Sequence, residues 1–285
     1  MCAERTPYPV TGLTPAAGRP GIWTAGPADG LPLVLVHGIR VSARMWDPHT
    51  RRLTPRFRIT APDLPGHGTR RDSTFVLEEA VARVDEAVRE AALATGRPPL
   101  VAGASLGGYV ALAYAAAHPD TAAAVLVQGA TARPDRFTGH LYRAAARTVT
   151  ALGPARAARL GDRAIARRLP PESYAAVTGG GLTLHAFPEV VADLTRRDFL
   201  TLAGRCRLPV LFVNGRRDHL FRAQEKEFVT AVRSAGGYAR LFHVQGPHDM
   251  SISDPDAFTR ILERGHELLS TARPEAFAAR PGPTP

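Results

Sequence analysis

The sequence predicts an α/β protein in which a mainly parallel sheet is flanked by helices and a helical cap is inserted late in the chain. Three observations carry this reading. Short apolar runs recur along the chain, each bounded by Gly, Pro or polar residues and too short to be a buried helix. Segments with helical apolar spacing lie between them, the order of elements that builds a parallel sheet covered on both faces. One stretch, from about Arg133 to Thr201, breaks the alternation: it is Arg/Ala-rich, has no convincing buried strand, and is interrupted at Gly153-Pro154 and Pro170-Pro171.

The elements follow in order. Leu31–Val36 (LPLVLV) ends at His37-Gly38 and reads as a buried strand, and Phe57–Ala61 is a second. Ser73 or Thr74 is placed to cap a helix that runs to about Leu93. Pro98–Gly103 is a third strand, and Leu106–Ala117 a helix of small residues suited to close packing on a sheet. Ala122–Val127 is a fourth strand and Leu208–Asn214 a fifth. Ala223–Ser234 is helical, Tyr238–Val244 is the last strand, and Asp254-Pro255 supplies an N-cap and a first-turn proline for a helix to about Leu269. The expected organisation is a flexible segment over 1–20, a core of 21–132 and 202–270, a cap over 133–201, and a flexible Pro/Gly/Ala-rich tail over 271–285.

Composition excludes several classes. With 45% hydrophobic and 22% charged residues, the 285-residue chain is neither wholly disordered nor a coiled coil. Its two cysteines, Cys2 and Cys206, rule out a disulfide scaffold and a cysteine-built zinc site, and are expected as free thiols. The N-terminus has no apolar signal region and no run of 18 apolar residues occurs, so a cytoplasmic location without a membrane span is expected. The formal charge is +10, and all basic residues but Lys226 are arginine. No nucleic-acid-binding motif accompanies that charge, and a solvated Arg-rich surface is the simpler reading. No long heptad run marks an oligomer interface, so monomer or dimer is expected.

The sharpest motif is Gly103-Ala104-Ser105-Leu106-Gly107, a G-x-S-x-G where a strand ends and a helix begins. A tight turn there strains the central residue and lifts its hydroxyl clear of the backbone. A serine hydroxyl is a weak nucleophile at pH 7 and needs a base that is itself oriented by an acid, in the chain order Ser, acid, His. His248, in Gly246-Pro247-His248-Asp249-Met250 after the last strand, is the candidate base, and Asp218, directly after LPVLFV, the candidate acid. Competitors are weaker. His243 falls within a strand, His219 adjoins the acid on its loop, and Asp249 reads as loop structure; Asp135 is the best alternative acid. The oxyanion of a tetrahedral intermediate needs donors, and the backbone N–H groups of Leu106 and Ile39 are the candidates, with Gly38 letting the Ile39 loop bend inward and His37 holding it.

These residues resemble the α/β-hydrolase family, in particular its lid-bearing esterase, lactonase and C–C hydrolase group. The resemblance spans about residues 20–270. It rests on LVLVHG at 33–38, Asp63-Leu64-Pro65-Gly66-His67-Gly68, GASLGG at 103–108, NGRRD at 214–218 and GPHDM at 246–250. It implies a serine hydrolase without metal or cofactor, with Ser105 as nucleophile, Asp218 as acid, His248 as base, and Ile39 and Leu106 at the oxyanion hole. Asp63–Gly68 matches a segment that shapes the active-site end of the sheet and is given no catalytic role. The family often continues that segment with serine two residues on, whereas Thr69 follows Gly68 here. A serine nucleophile argues against dehalogenase and epoxide hydrolase chemistry.

The expected activity is hydrolysis of carboxylic esters or related lactones and thioesters. C–C bond hydrolysis and biosynthetic thioester cleavage use the same residues, and lyase or perhydrolase behaviour is open to the same architecture. A non-catalytic small-ligand module is the remote alternative, against which the complete Ser105, Asp218 and His248 set argues. Between Arg133 and Arg168 nine arginines face only Asp135 and Asp162, a local balance of +7. They are read as a solvated outer face, or as an attraction for an acidic substrate or carrier. Arg40, beside the oxyanion loop, is read as a surface residue, with contact to a substrate carboxylate as the alternative.

Overall fold

The computed structural model describes residues 12–182 and 184–279. Cys2 and the rest of 1–11, and the tail residues 280–285, lie outside the described residues. Among the described residues eight strands form one sheet: β1 (Thr14–Pro15), β2 (Ile22–Ala25), β3 (Leu31–Val36), β4 (Phe57–Pro62), β5 (Leu100–Ala104), β6 (Ala124–Gln128), β7 (Val210–Gly215) and β8 (Ala239–Val244). Their spatial order is β1-β2-β4-β3-β5-β6-β7-β8. β3 to β8 run parallel, while β1 and β2 add an antiparallel edge, with Ile22 opposite Pro62.

Alternate residues of each central strand enter different cores. Val34, Val36, Val101, Val125, Val127 and Phe212 pack with α2 (Leu77–Thr95) and α3 (Leu106–Ala117). Leu33, Leu35, Ala102, Leu126 and Leu211 pack on the other face, with Leu53 of α1 (Asp47–Leu53) and the apolar stripe Phe258, Leu262 and Leu269 of α11 (Pro255–Ala272). Burial on both faces is why the strands read as continuous apolar runs rather than as alternation. Gly265 lets α11 lie close to the sheet, since a Cβ there would meet Leu126 Cδ1 at 2.6 Å.

Between β6 and β7 the chain leaves the sheet through five helices: α4 (Phe137–Leu152), α5 (Pro154–Arg168), α6 (Pro171–Gly179), α7 (Phe187–Leu194) and α8 (Phe199–Ala203). After β7 come α9 (Glu225–Ser234), and after β8 α10 (Met250–Ser253), α11 and the short α12 (Pro274–Phe277).

The structure corrects several expectations. Residues 14–15, placed in a flexible leader, pair with β2, because Leu13 is buried and its N–H donates to Asp47 Oδ1 (2.9 Å). The tail expected from 271 contains the last turn of α11 and α12, whose Phe277 packs edge-on to His266. Helix α2 starts at Leu77 without a capping side chain of its own; the Leu77 N–H instead donates to Asp193 Oδ2 of α7 (3.1 Å) and the Phe75 N–H to Glu189 Oε2 (3.1 Å). Cys206 is a free, fully buried thiol whose pKa burial pushes up to about 12. Among the described residues no helix is long and apolar enough to cross a membrane.

Candidate active site

Strand β5 ends at Ala104 and α3 begins at Leu106, leaving Ser105 alone to reverse the chain at φ 55°, ψ −115°. A non-glycine residue there is strained by about 1–3 kcal/mol. The strain is held by crowding: a Cβ on Gly103 would lie 2.0 Å from the Gly107 carbonyl, and one on Gly107 would lie 2.2 Å from the Val36 carbonyl. The Ser105 N–H donates to the Gln128 carbonyl of β6 (2.8 Å).

Two loops from the same sheet end reach the hydroxyl. Asp218 follows β7 and is 3% exposed. His248 follows β8, with Gln128 Nε2 donating to its carbonyl (3.1 Å). His248 Nε2 lies 2.9 Å from Ser105 Oγ, and His248 Nδ1 lies 2.7 Å from Asp218 Oδ2. A carboxylate accepts and does not donate, so Nδ1 carries the proton and Nε2 offers its lone pair to the serine O–H. The other Asp218 oxygen accepts from the Phe221 N–H (3.2 Å). Gly129 makes room for the pair: a Cβ there would meet His248 Nδ1 at 2.9 Å.

The oxyanion candidates flank the serine. Leu106 opens α3, where N–H groups have no partner within the helix and the helix dipole favours negative charge. Ile39 lies on the β3 loop, which passes close to Ser105: a Cβ built on Gly38 would be 3.7 Å from Ser105 Cβ. His37 pins this loop, Nδ1 donating to the Gly38 carbonyl (2.8 Å) and Nε2 accepting from the Leu64 N–H (3.0 Å); burial lowers its pKa and keeps it neutral. The buried Asp63 accepts from the Ala43 N–H, Trp23 Nε1, the Thr69 N–H and Thr69 Oγ1, at 2.9–3.0 Å. It ties its own segment to the Ala43 loop and to strand β2, and Thr69 donates to it twice.

The competing assignments fall elsewhere. Asp135 pairs with Arg133 (2.8 Å), and His243 with Glu225 (2.8 Å) behind the acid loop. His219 is exposed. Asp249 accepts from Arg168 Nη2 at the end of α5 (3.1 Å). Arg40 adopts φ 75° and lines a cavity at Ser105.

Two features have no counterpart in the sequence reading. The Phe221 ring stacks on the His248 imidazole, centroids 3.9 Å apart at 19°, and Tyr142 of α4 meets Phe221 edge-on. The pattern RRDHLF gives no sign of this, because the stack exists only once the loop folds back over the histidine. Two unequal cavities also flank Ser105. A narrow one of about 50 Å³ is lined by Ile39, Leu106, Tyr109, Val190, Leu194 and Phe221. A wide one of about 360 Å³ is lined by His248, Ile39, Arg40, Arg168, Leu169 and Phe187. Among the described residues no cluster of His, Cys, Asp and Glu could hold a metal ion.

Residues 33–280 match the model of the alpha/beta hydrolase family. A pimeloyl-[acyl-carrier protein] methyl ester esterase of Neisseria meningitidis serogroup B is 35% identical over 99 residues, 35% of this chain and 36% of that relative. This chain thus aligns with about a third of that relative's length. A protein of Mycobacterium phage D29, provisionally named a non-heme haloperoxidase, is 27% identical over 84% of this chain and 87% of its own. The crystal structure of a thermophilic esterase from Thermogutta terrifontis superposes with a TM-score of 0.67 at 21% identity, over 87% of this chain and 93% of that one. That likeness speaks to the fold.

Proposed function

The chain belongs to the alpha/beta hydrolase family, and from that premise we propose that it is a serine hydrolase that cleaves carboxylic esters, or related lactones and thioesters, through an acyl-enzyme. The observation that carries the reading is the unbroken hydrogen-bond line from Ser105 Oγ through His248 to Asp218, at 2.9 and 2.7 Å, on a strained serine.

In this reading Ser105 Oγ attacks the substrate carbonyl carbon as its proton passes to His248 Nε2. Asp218 keeps the imidazole in the required tautomer and stabilises the imidazolium. The carbonyl oxygen becomes an oxyanion facing the N–H groups of Leu106 and Ile39, whose placement ahead of the reaction is worth about 3–4 kcal/mol per donor. Collapse breaks the bond to the leaving oxygen or sulfur, which takes the proton from His248. Water then attacks the acyl-enzyme, gives a proton to His248, and releases the acid while Ser105 regains its proton.

Helices α4–α7 act as the cap that walls both cavities, supported by the presence of Tyr142, Val190 and Leu194 in the narrow one and Leu169 and Phe187 in the wide one. The small-molecule substrate meets the protein in the cytoplasm. Ser105→Ala should lower kcat/KM on p-nitrophenyl acetate by about 10⁴-fold or more, and His248→Gln by a similar factor, because triad members act as a unit. Turnover that survives Ser105→Ala in a folded protein would assign the nucleophile elsewhere.

A further inference from the structure

The two cavities at Ser105 are chemically distinguishable. His248 lines the wide cavity and not the narrow one. The leaving atom must come within hydrogen-bond reach of His248 Nε2 to be protonated. The leaving group therefore departs on the wide side and the acyl chain occupies the narrow one. At about 50 Å³, against about 360 Å³ for its neighbour, the narrow cavity suits a short chain.

The lining of that cavity also includes Val191 of α7 and Thr195 just beyond it. Thr195 Oγ1 donates to the Val191 carbonyl (2.8 Å), and its methyl rests against α4, 3.1 Å from where a Cβ on Gly139 would lie. The same two residues line a groove of about 620 Å³ between α4 and α7. Its floor is apolar, with Ala146, Val191 and Ala192, and its charged lining is cationic throughout: Arg143 and Arg147, one turn apart on α4, and Arg196 just beyond α7. The carboxylates nearby on α7 are turned to other partners, Glu189 to the Phe75 N–H and Asp193 to the Leu77 N–H and Arg197. Arg143 also lies 3.1 Å from His140 Nδ1.

We propose that the acyl group ends in a carboxylate, its short methylene chain filling the narrow cavity and its far end passing Val191 and Thr195 to the guanidinium groups of Arg143, Arg147 and Arg196. This rests on the serine-hydrolase reading and names its substrate class: half-esters or thioesters of short α,ω-dicarboxylic acids. A neutral chain of equal length would bring no anion to a groove whose charges are all positive.

Ser105→Ala protein, which binds without turnover, is titrated with monomethyl adipate and with the neutral dimethyl adipate. The half-ester should bind about tenfold tighter at low salt, as a charge-assisted contact implies, and the margin should shrink as salt screens the arginines. Adding Arg143→Gln, Arg147→Gln and Arg196→Gln should bring the two affinities within about twofold, because glutamine keeps polarity and some of the stem while removing the charge. A thermal melt matching that of the parent shows that this variant is folded, and Arg147→Glu alone should lower half-ester affinity further than Arg147→Gln. Equal affinities in the parent, or a half-ester preference that persists without the arginines, would overturn the proposal. Wild-type turnover of p-nitrophenyl acetate, too short to reach the groove, reports separately on the hydrolase reading.

Discussion

The imidazole of His248 is held on three sides, by Asp218 at Nδ1, by Ser105 at Nε2 and by the Phe221 ring on its face. Phe221 acts twice, since its N–H also fixes the second Asp218 oxygen. Removing the ring while keeping an apolar side chain should therefore loosen the imidazole rather than the fold. Phe221→Leu should lower kcat on p-nitrophenyl acetate by about tenfold with little change in KM, because misalignment of a proton acceptor costs rate rather than affinity. Phe221→Tyr, which keeps the ring, should recover most of it; an unchanged kcat for Phe221→Leu would assign the stack a packing role only. At this scale Ser105, Asp218 and His248 stand out in the sequence because each lies just past a strand: Ser105 in a Gly-flanked turn after LVAGA, Asp218 three residues after VLFVNG, and His248 in GPHDM after the half-exposed ARLFHV. Phe221 and Tyr142 do not, because their contact spans a loop and a helix far apart in sequence and no local pattern encodes it.

The tight turn at Ser105 between β5 and α3, a nucleophile elbow in form, and the junction between α2 and α7 show how elements hold the site. The elbow is written in the sequence because backbone crowding at Gly103 and Gly107 tolerates no side chain. The start of α2 is not encoded locally. Ser73 and Thr74 have the chemistry of N-caps, but the orphan N–H groups at Phe75 and Leu77 are taken by Glu189 and Asp193 from the inserted helices. Asp193 thereby joins the insertion to the core, and it also pairs with Arg197 at 2.8 Å. Asp193→Ala should cost about 1 kcal/mol in a urea unfolding titration, the usual worth of a capping carboxylate. A loss under a few tenths would mean that the contact contributes nothing beyond what water supplies. The edge strands β1 and β2 have no signature in the sequence because two and four residues make no apolar run, and β2 is secured by pairing with β4.

Over the whole molecule, the double-sided burial of the sheet made the fold class readable, while the arginine excess says more about the surface than about the fold. Buried histidines tie that fold to pH. Burial pushes His49 and His67 down to about 3 and, with Arg56 nearby, His266 down to about 4, against an ordinary value of 6.5. Below pH 6.5 the unfolded chain binds protons at these sites that the folded protein refuses, so their stabilising contribution is present above that pH and is lost as pH falls towards 3–4. Each histidine contributes a slope of up to about 1.4 kcal/mol per pH unit in that window. The Tm should drop between pH 7.5 and 5, and His49→Gln should flatten the drop; a Tm constant over that range would contradict the assignment. Activation of the serine at position 105 is read out by intact-mass analysis after treatment with a fluorophosphonate probe. One adduct on the wild type and none on Ser105→Ala is the predicted result. A folded wild type that takes no adduct, or a Ser105→Ala protein that still takes one, would contradict it.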